Sequence, residues 1–268
     1  MDNRIDVGIM LVTLNFMNAI ILAIVEAITE FLPVSSTGHT ILAAVILGID
    51  QTPFVKSFYL VLQFGSILSV VVLYWKLFLN FEIIKRLIIG VLPTGIIGLV
   101  LYRTFKDFLL GNTQVVLWAL LLGGIFLIVF EWRYKERATY DDVTSIPYKH
   151  CLLIGLFQSI SVIPGLSRST ATITGGLVLG LKRQTIVLYS FLLAVPTMIG
   201  VSSFDLLMSF TPLSSSQVGL LALGFVTSFL VALVVIKIFL SYIRTNNFIP
   251  FGVYRILLVV AFFFLVIM

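Results

Sequence analysis

The stretch from Glu26 to His39 reads Glu-Ala-Ile-Thr-Glu-Phe-Leu-Pro-Val-Ser-Ser-Thr-Gly-His, and it interrupts an apolar region that runs from Ile9 to Ile49. A second interruption, Pro-Gly-Leu-Ser-Arg-Ser at residues 164–169, divides the apolar region from Cys151 to Leu181. Proline breaks helices, and serine and threonine favour the position just before a helix begins. The pattern therefore predicts two helix–loop–helix units with polar loops inside apolar sequence.

The composition of the chain indicates what surrounds these loops. Of the 268 residues, 60% are hydrophobic and 11% are charged, and the mean hydropathy is +1.15. A soluble domain usually has about 45–50% apolar and about 25% charged residues. The composition excludes a soluble globular enzyme, a disordered chain and, in spite of the net charge of +5, a nucleic-acid-binding protein. It predicts an all-α integral membrane protein.

Six other apolar segments have about the length that a transmembrane helix needs. The apolar runs that follow the two loops, Thr40–Ile49 and Ile173–Leu181, are too short to cross a bilayer. We therefore expect each interrupted region to be a re-entrant hairpin that enters and leaves on one side. Irregular backbone at membrane depth must then be buried in protein or line a water-filled cavity. The six predicted spans are Phe54–Trp75, Leu87–Tyr102, Val115–Phe130, Ile186–Met208, Val218–Leu240 and Phe251–Met268.

The two interrupted regions resemble each other. An offset of 132 residues pairs Ser35 with Ser167 and Thr40 with Thr172, and three predicted spans follow each region. Because three is an odd number, the second half must lie upside down relative to the first, as in inverted repeats whose broken helices meet near the midplane. We expect a single membrane domain, 1–268, with halves at 1–130 and 151–268 and a cytoplasmic connector at 131–150.

The basic loop residues provide a test of this arrangement. If both hairpins are re-entrant, lysine and arginine gather on one side of the membrane, and the positive-inside rule assigns that side to the cytoplasm. Both termini then lie outside the cytoplasm. The basic side receives Lys76, Lys85, Arg86, Arg133, Lys135, Arg137, Lys149, Lys182, Arg183, Lys237, Arg244 and Arg255, and the other side receives Arg4, Lys56, Arg103 and Lys106.

Glu26 and Glu30 are candidates for chemistry. They lie four residues apart, so they share one face of a helix and can converge on one ligand. Carboxylates inside a membrane segment are costly and usually functional. As a pair they suit a hard divalent cation, Mg²⁺ or Ca²⁺, which prefers oxygen ligands. The alternative is that Asn15, Asn18 or a basic side chain pairs with them to support helix packing.

The first loop also carries hydroxyl and imidazole groups, at Ser35, Ser36, Thr37 and His39. Hydroxyls and free amides at the start of a helix can bind phosphate oxygens, and helix capping is the alternative role for serine and threonine. The imidazole can act as acid, base or nucleophile near neutral pH, and a packing role is its alternative.

The second loop supplies a guanidinium group. Arg168 lies between Ser167 and Ser169, and Thr172 follows one turn later. A guanidinium keeps its charge and matches phosphate oxygens with paired donors, although it can also serve only as an ion-pair partner of the acidic residues. Acid, hydroxyl, imidazole and guanidinium groups together fit hydrolysis of a phosphate ester or anhydride, in which positioning and charge neutralisation dominate.

Residues 26–39 and 164–172, with the flanking segments Gln63–Ser66 and Phe191–Pro196, closely resemble motifs of the undecaprenyl pyrophosphate phosphatase family, also called bacitracin-resistance proteins. The likeness covers nearly the whole chain. It implies removal of the terminal phosphate of undecaprenyl diphosphate, which regenerates the lipid carrier for peptidoglycan and other envelope polymers. It further implies an outward-facing site in the bacterial cytoplasmic membrane, a link with bacitracin resistance and formation of a homodimer.

The resemblance also assigns roles to individual residues. Glu26 and Glu30 would serve the metal and the phosphate, Ser36 or His39 would be the nucleophile, and Arg168 would bind the diphosphate. Further substrate contacts are expected at Ser35, Thr37, Ser167, Ser169 and Thr172.

Two mechanisms and one rival function stay open. In the first mechanism Ser36 attacks phosphorus while His39 moves a proton. In the second, the attack comes from His39 itself or from a metal-held water. The rival function is transport, because inverted repeats with broken helices are common in secondary transporters and the same residues could hold an anionic lipid headgroup for flipping.

Overall fold

The computed structural model describes residues 13–108, 113–135, 139–208 and 213–264. The regular structure in these ranges is mainly helical, with isolated β-bridge positions that include Tyr140 and Leu181, which pair with each other. Short 3₁₀ turns occur at Leu77–Leu79, Val143–Ser145 and Ile160–Val162. The helices of these ranges are α1 (Phe16–Glu30), α2 (Ser36–Ile46), α3 (Pro53–Tyr74), α4 (Phe81–Phe108), α5 (Thr113–Arg133), α6 (Tyr148–Ser159), α7 (Arg168–Val178), α8 (Arg183–Met208), α9 (Ser215–Tyr242) and α10 (Ile249–Phe262).

Five of the described helices are long and apolar enough to cross a membrane. The sixth predicted span, Phe251–Met268, begins in α10, and residues 265–268 lie outside the described part of the chain. The fold class predicted from the sequence, an all-α integral membrane protein with several spans, is confirmed. The five spanning segments are Pro53–Tyr74, Phe81–Leu101, Thr113–Arg133, Arg183–Val201 and Ser215–Tyr242.

The internal repeat is visible in the backbone. Under the offset found in the sequence, α2 (Ser36–Ile46) falls on α7 (Arg168–Val178) without a shift at either end. Each helix follows a serine with left-handed backbone, Ser35 at φ 73° and Ser167 at φ 72°, whose side chain accepts a hydrogen bond from the N–H three residues later. Such backbone is uncommon for serine and persists only where the surrounding structure enforces it.

The two halves pack on each other reciprocally. The first helix of each half contacts the fourth helix of the other, as α1 with α9 and α6 with α4, while α3 packs on α8 and α5 on α10. At the α4–α6 contact a Cβ atom on Gly155 would lie 2.1 Å from the carbonyl oxygen of Gly90, so only glycine permits this approach. Phe31 and Phe191, one from each half, meet in the central core with ring centroids 5.1 Å apart. The core is therefore shared between the halves.

Several loops meet at one end of the helix bundle. Arg183 at the start of α8 forms an ion pair with Glu131 near the end of α5, and Glu131 also accepts a hydrogen bond of 3.1 Å from the N–H of Phe248, just before α10. Near the start of α4, Arg86 donates to the carbonyl of Ile146, just before α6, at 2.8 Å. These contacts place the connector between the halves beside several of the basic loops.

Arg255 does not belong with these loop residues. The assignment of Arg255 to the basic loops was wrong, because α10 already begins at Ile249 and the side chain of Arg255 is fully buried. Its guanidinium donates to carbonyl groups of the protein interior. Among the other cations used to predict the topology, Arg4 and Arg137 lie outside the described residues, as do the side chains of Arg103 and Lys106.

Candidate active site

The C-terminal half of α1 carries the two acidic residues. Glu26 and Glu30 lie on one face of the helix, and only 1% and 4% of their surfaces are exposed. The two carboxyl groups are close enough to interact electrostatically. α1 packs against α2 and α9, and Pro33 lies in the loop that follows. Buried carboxyl groups of this kind require hydrogen-bonding or cationic partners.

The first of these partners are hydroxyl groups of α2. The Ser36 hydroxyl donates to Glu30 Oε2 at 2.6 Å, and the Thr40 hydroxyl donates to Glu26 Oε2 at 2.6 Å. Glu26 and Glu30 are four residues apart in α1, and Ser36 and Thr40 are four residues apart in α2. One face of α2 therefore matches the acidic face of α1. The sequence analysis did not assign a chemical role to Thr40, although its spacing from Ser36 repeats the spacing of the two acids.

The cationic partner comes from the second half of the chain. Arg168 is the first residue of α7 and is 8% exposed, and its Nη2 lies 3.2 Å from Glu30 Oε1. Its Nη1 donates to the backbone carbonyl of Ser190 in α8 at 2.9 Å. Arg168 therefore joins the two broken-helix regions through Glu30, while the Ser190 carbonyl fixes the guanidinium from the other side.

Two further hydroxyls of the second region bind the backbone of the first loop. Ser169 donates to the carbonyl of Leu32 at 2.7 Å, and Thr170 donates to the carbonyl of Pro33 at 3.1 Å. Because these acceptors lie in the turn after α1, the second region holds the shape of the first loop directly. The two loops thus meet in the interior of the protein.

The other residues expected to contact substrate surround this cluster. Ser35 and Ser167 cap α2 and α7. The Thr172 hydroxyl donates to the carbonyl of Arg168 at 2.5 Å, within its own helix, and Thr37 is exposed at the start of α2. Capping and phosphate binding draw on the same helix start, so these positions are compatible with both interpretations given to them.

His39 lies in α2, and its ring hydrogen-bonds on both sides to groups other than the acids. Nδ1 lies 2.8 Å from the carbonyl oxygen of Ser35, and Nε2 lies 2.9 Å from the hydroxyl of Tyr254 in α10. The rings of His39 and Tyr254 are stacked, with centroids 5.4 Å apart. A catalytic role for His39 stays a prediction, and Tyr254 is a neighbour that the sequence analysis did not consider.

The acidic pair offers a divalent cation one free carboxylate oxygen, but a cation bound there would need further ligands. Glu26 Oε1 is buried without a hydrogen-bond partner, whereas both carboxyl oxygens of Glu30 are engaged. Within the described ranges, no group of three or more His, Cys, Asp or Glu side chains could hold a metal ion. Mg²⁺ is commonly held by one or two carboxylates with substrate phosphates and water. The pair therefore fits a cation whose coordination is completed by a phosphate ligand.

The fold brings acidic, hydroxyl and guanidinium groups together inside a membrane protein, a set that suits chemistry on phosphate groups. The family model described as Bacitracin resistance protein BacA matches residues 19–261. The chain is 51% identical over 251 residues to the undecaprenyl-diphosphatase of Aquifex aeolicus, covering 92% of this chain and 98% of that protein. The undecaprenyl-diphosphatase of Wolinella succinogenes is 46% identical over 253 residues, covering 94% and 98%. The chain belongs to the bacitracin resistance protein family, and the resemblance seen in its sequence is confirmed.

The Arg168–Glu30 ion pair gives a prediction about stability. Arg168→Met leaves the Glu30 carboxylate buried without its cation, so we expect a loss of about 3–5 kcal/mol. Arg168→Met combined with Glu30→Gln removes the unpaired charge and is expected to recover most of that loss. The measurement is thermal unfolding of the purified proteins in detergent.

The exposed pair of Lys85 and Glu82, 3.1 Å apart, provides the control. Lys85→Met is expected to cost no more than about 1 kcal/mol, because water screens this pair. Equal destabilisation of the single and double variants at Arg168 and Glu30 would contradict the ion pair.

Proposed function

We propose that this protein hydrolyses undecaprenyl diphosphate to undecaprenyl phosphate and inorganic phosphate, and so recycles the lipid carrier used for cell-envelope polymers. The carrying observation is the Glu30 carboxyl group, which binds Ser36 of the first broken-helix region and Arg168 of the second. The names of the relatives agree with this activity. Bacitracin resistance, which gives the family its name, follows in our proposal from the same reaction.

The substrate phosphates bind where α2 and α7 begin. Arg168 offers paired guanidinium donors, and the first turns of the two helices offer backbone N–H groups that favour anions. The hydroxyls of Ser35, Thr37, Ser167, Ser169 and Thr172 surround these helix starts and complete the contacts in our proposal. The polyprenyl tail stays in the lipid, which explains why polar chemistry is located in a membrane protein.

Ser36 is the nucleophile in the mechanism that the geometry favours. Its hydroxyl points at Glu30 Oε2 at 2.6 Å, so Glu30 can take the proton as Ser36 Oγ attacks the terminal phosphorus. The P–O bond of the anhydride breaks, undecaprenyl phosphate leaves, and water then hydrolyses the phosphoserine to release phosphate. In the alternative, His39 Nε2 attacks after Tyr254 moves away, and the phosphoryl group is trapped on His39.

Glu26 and Glu30 hold Mg²⁺ or Ca²⁺ in this proposal. A cation held there would offer positive charge to the diphosphate. The unpartnered Oε1 of Glu26 is the ligand that the protein leaves open for it. Thr40 and Ser36 keep the remaining oxygens of the pair oriented through their hydrogen bonds.

The chain lies in the bacterial cytoplasmic membrane with the site open to the outer face, both termini outside and two copies forming a dimer. Support for a re-entrant second hairpin comes from two backbone hydrogen bonds of the connector. The N–H of Thr139 donates to the carbonyl of Gly180 at 2.8 Å, and the N–H of Lys182 donates to the carbonyl of Tyr140 at 2.8 Å. The residues that precede α6 therefore meet the residues that follow α7 at the same end of the bundle.

The reaction predicts a specific effect at Ser36. We expect Ser36→Ala to lower release of inorganic phosphate from undecaprenyl diphosphate by about 1,000-fold or more, since the nucleophile is lost. Ser57→Ala removes a hydroxyl of α3 that bonds only within its helix, and it should leave turnover unchanged. Full activity of Ser36→Ala, or a phosphoryl group trapped on His39, would exclude Ser36 as the nucleophile.

The same variant separates hydrolysis from transport. Wild-type protein in vesicles should release phosphate from substrate added outside, without moving lipid between leaflets. Reciprocally packed halves with broken helices also suit a transporter. Transfer of a labelled polyprenyl phosphate across the bilayer by the Ser36→Ala protein would support the flippase in place of the phosphatase.

Removal of divalent cations should abolish phosphate release. Treatment with a chelator is expected to bring turnover to background. Added Mg²⁺ or Ca²⁺ should restore turnover, because Glu26 and Glu30 can then bind a cation again. Glu26→Gln should need a higher cation concentration for half-maximal activity. Unchanged turnover of the enzyme after chelator treatment would show that the reaction needs no divalent cation.

The proposed orientation can be tested with single cysteines. In a Cys151→Ser background, a membrane-impermeant maleimide added to intact cells should label Gln51→Cys and should label Arg244→Cys only after permeabilisation. Both positions are exposed. Labelling of Arg244→Cys alone in intact cells would invert the orientation, and labelling of both would contradict placement of the two loops on opposite faces.

A further inference from the structure

Two consecutive residues of α10 contact the two broken-helix regions separately. Tyr254, which is 44% exposed, reaches His39 in the first region, and Arg255, which is fully buried, reaches Gly165 and Thr170 in the second. Consecutive residues of a helix point in different directions, so one turn of α10 can touch both regions.

The guanidinium of Arg255 is bound entirely by neutral groups. Nη2 donates to the carbonyls of Gly165 at 2.8 Å and Ala119 at 2.9 Å, Nε donates to the carbonyl of Leu120 at 3.2 Å, and Nη1 lies 3.4 Å from the Thr170 hydroxyl. None of the ion pairs in the described ranges includes Arg255. A buried charge without an opposite charge is expensive, so its retention calls for a reason beyond packing.

The surrounding sequence makes room for this side chain. A Cβ atom on Gly123 in α5 would lie 2.2 Å from Arg255 Nη2, so any larger residue there displaces the guanidinium. Gly165, whose carbonyl Arg255 holds, has φ +97°, a conformation that other residues rarely adopt. Arg255 thus fixes the second loop at a residue whose backbone conformation favours glycine.

The His39 ring is held by a hydrogen bond at each of its two nitrogens. The carbonyl of Ser35 can only accept a hydrogen bond, so His39 Nδ1 must be the donor in that contact. In the neutral ring Nε2 is then the acceptor, and the Tyr254 hydroxyl donates to it. The Ser35 carbonyl therefore sets the tautomer of His39, and Tyr254 holds the orientation of the ring through the bond to Nε2 and through ring stacking.

We propose that Tyr254 and Arg255 are positioning residues that hold the two broken-helix regions in the relative placement needed for phosphate transfer, with Tyr254 fixing the His39 ring and Arg255 fixing the second loop. The kinetic part of this inference rests on the proposed phosphatase function. The spectroscopic part needs no substrate, so the two can fail separately.

The test at Arg255 compares activity with packing. Arg255→Met should lower kcat by about 100-fold with little change in KM, because the second loop loses its fixed carbonyl. Gly123→Ala combined with Arg255→Met fills the vacated space and should raise the melting temperature above that of Arg255→Met while kcat stays low. Recovery of kcat together with the melting temperature would reduce Arg255 to a packing role and overturn the proposal.

Arg255→Lys keeps the charge with fewer donors, and it serves if Arg255→Met does not fold. We expect it to retain KM and to lose part of kcat. Wild-type kcat in Arg255→Lys would show that the individual carbonyl contacts are unnecessary and would also overturn the role of Arg255.

The test at Tyr254 uses the two histidines of the chain, His39 and His150. In protein with ¹⁵N-labelled histidine, Tyr254→Phe should change the ring nitrogen shifts of His39 and leave those of His150 in place. Tyr140 contacts the His150 ring edge-on, with centroids 5.3 Å apart, so Tyr140→Leu, which removes that aromatic ring, should produce the reverse pattern. Unchanged His39 signals in Tyr254→Phe would overturn the role of Tyr254.

Discussion

The Glu30 carboxyl group is shared between the two halves of the chain, and the remaining contacts of the site are arranged around it. One oxygen accepts from Ser36 and the other from Arg168, and both side chains are buried. In a low-dielectric interior a charge-assisted hydrogen bond is strong and an unpaired charge is costly. Neither half can therefore bury its charged residue without the other. If a bound diphosphate draws Arg168 toward itself, Glu30 keeps its hydrogen bond with Ser36. In the proposed reaction, Glu30 takes the proton of this Ser36 hydroxyl.

The repeat supplies complementary groups from equivalent positions. Ser36 and Arg168 are the first residues of α2 and α7, and the offset that relates the two helices also relates Glu26 to Gln158. Gln158 is fully buried and donates to the hydroxyls of Thr94 and Thr197 at 2.9 and 3.1 Å, so it forms a neutral polar contact where the first half has an acid. If the two halves had identical residues at these positions, acidic side chains would lie close to acidic side chains and arginines close to arginines, and they would repel each other. Divergence between the halves produces attraction instead.

The sequence predicted the helical membrane fold and the meeting of Glu30, Ser36 and Arg168, because a charged residue or a proline in apolar sequence is conspicuous. The imidazole of His39, predicted to join them, bonds instead to Ser35 and Tyr254. Acceptors supplied by the backbone, such as the carbonyls of Ser190 and Gly165, left no such signal, since they depend on which helices come together. Arg255 was misplaced because it follows a polar turn closely. The signal for its burial was present in the apolar residues on both sides of it, from Ile249 onward. Tyr254 was missed because an exposed tyrosine near a helix end is ordinary in membrane proteins.

The charges around the cluster also explain why a divalent cation belongs in the proposed mechanism. Glu26 and Glu30 can bring two negative charges, and the C-terminal end of α1, where both lie, adds about half a negative charge. Arg168 brings one positive charge, and each of the helix starts at α2 and α7 contributes about half a positive charge. These contributions leave the cluster with about half a negative charge. A diphosphate adds negative charge that this balance does not cover. In the proposed mechanism, a cation at the unpartnered oxygen of Glu26 would offset this negative charge when the substrate binds.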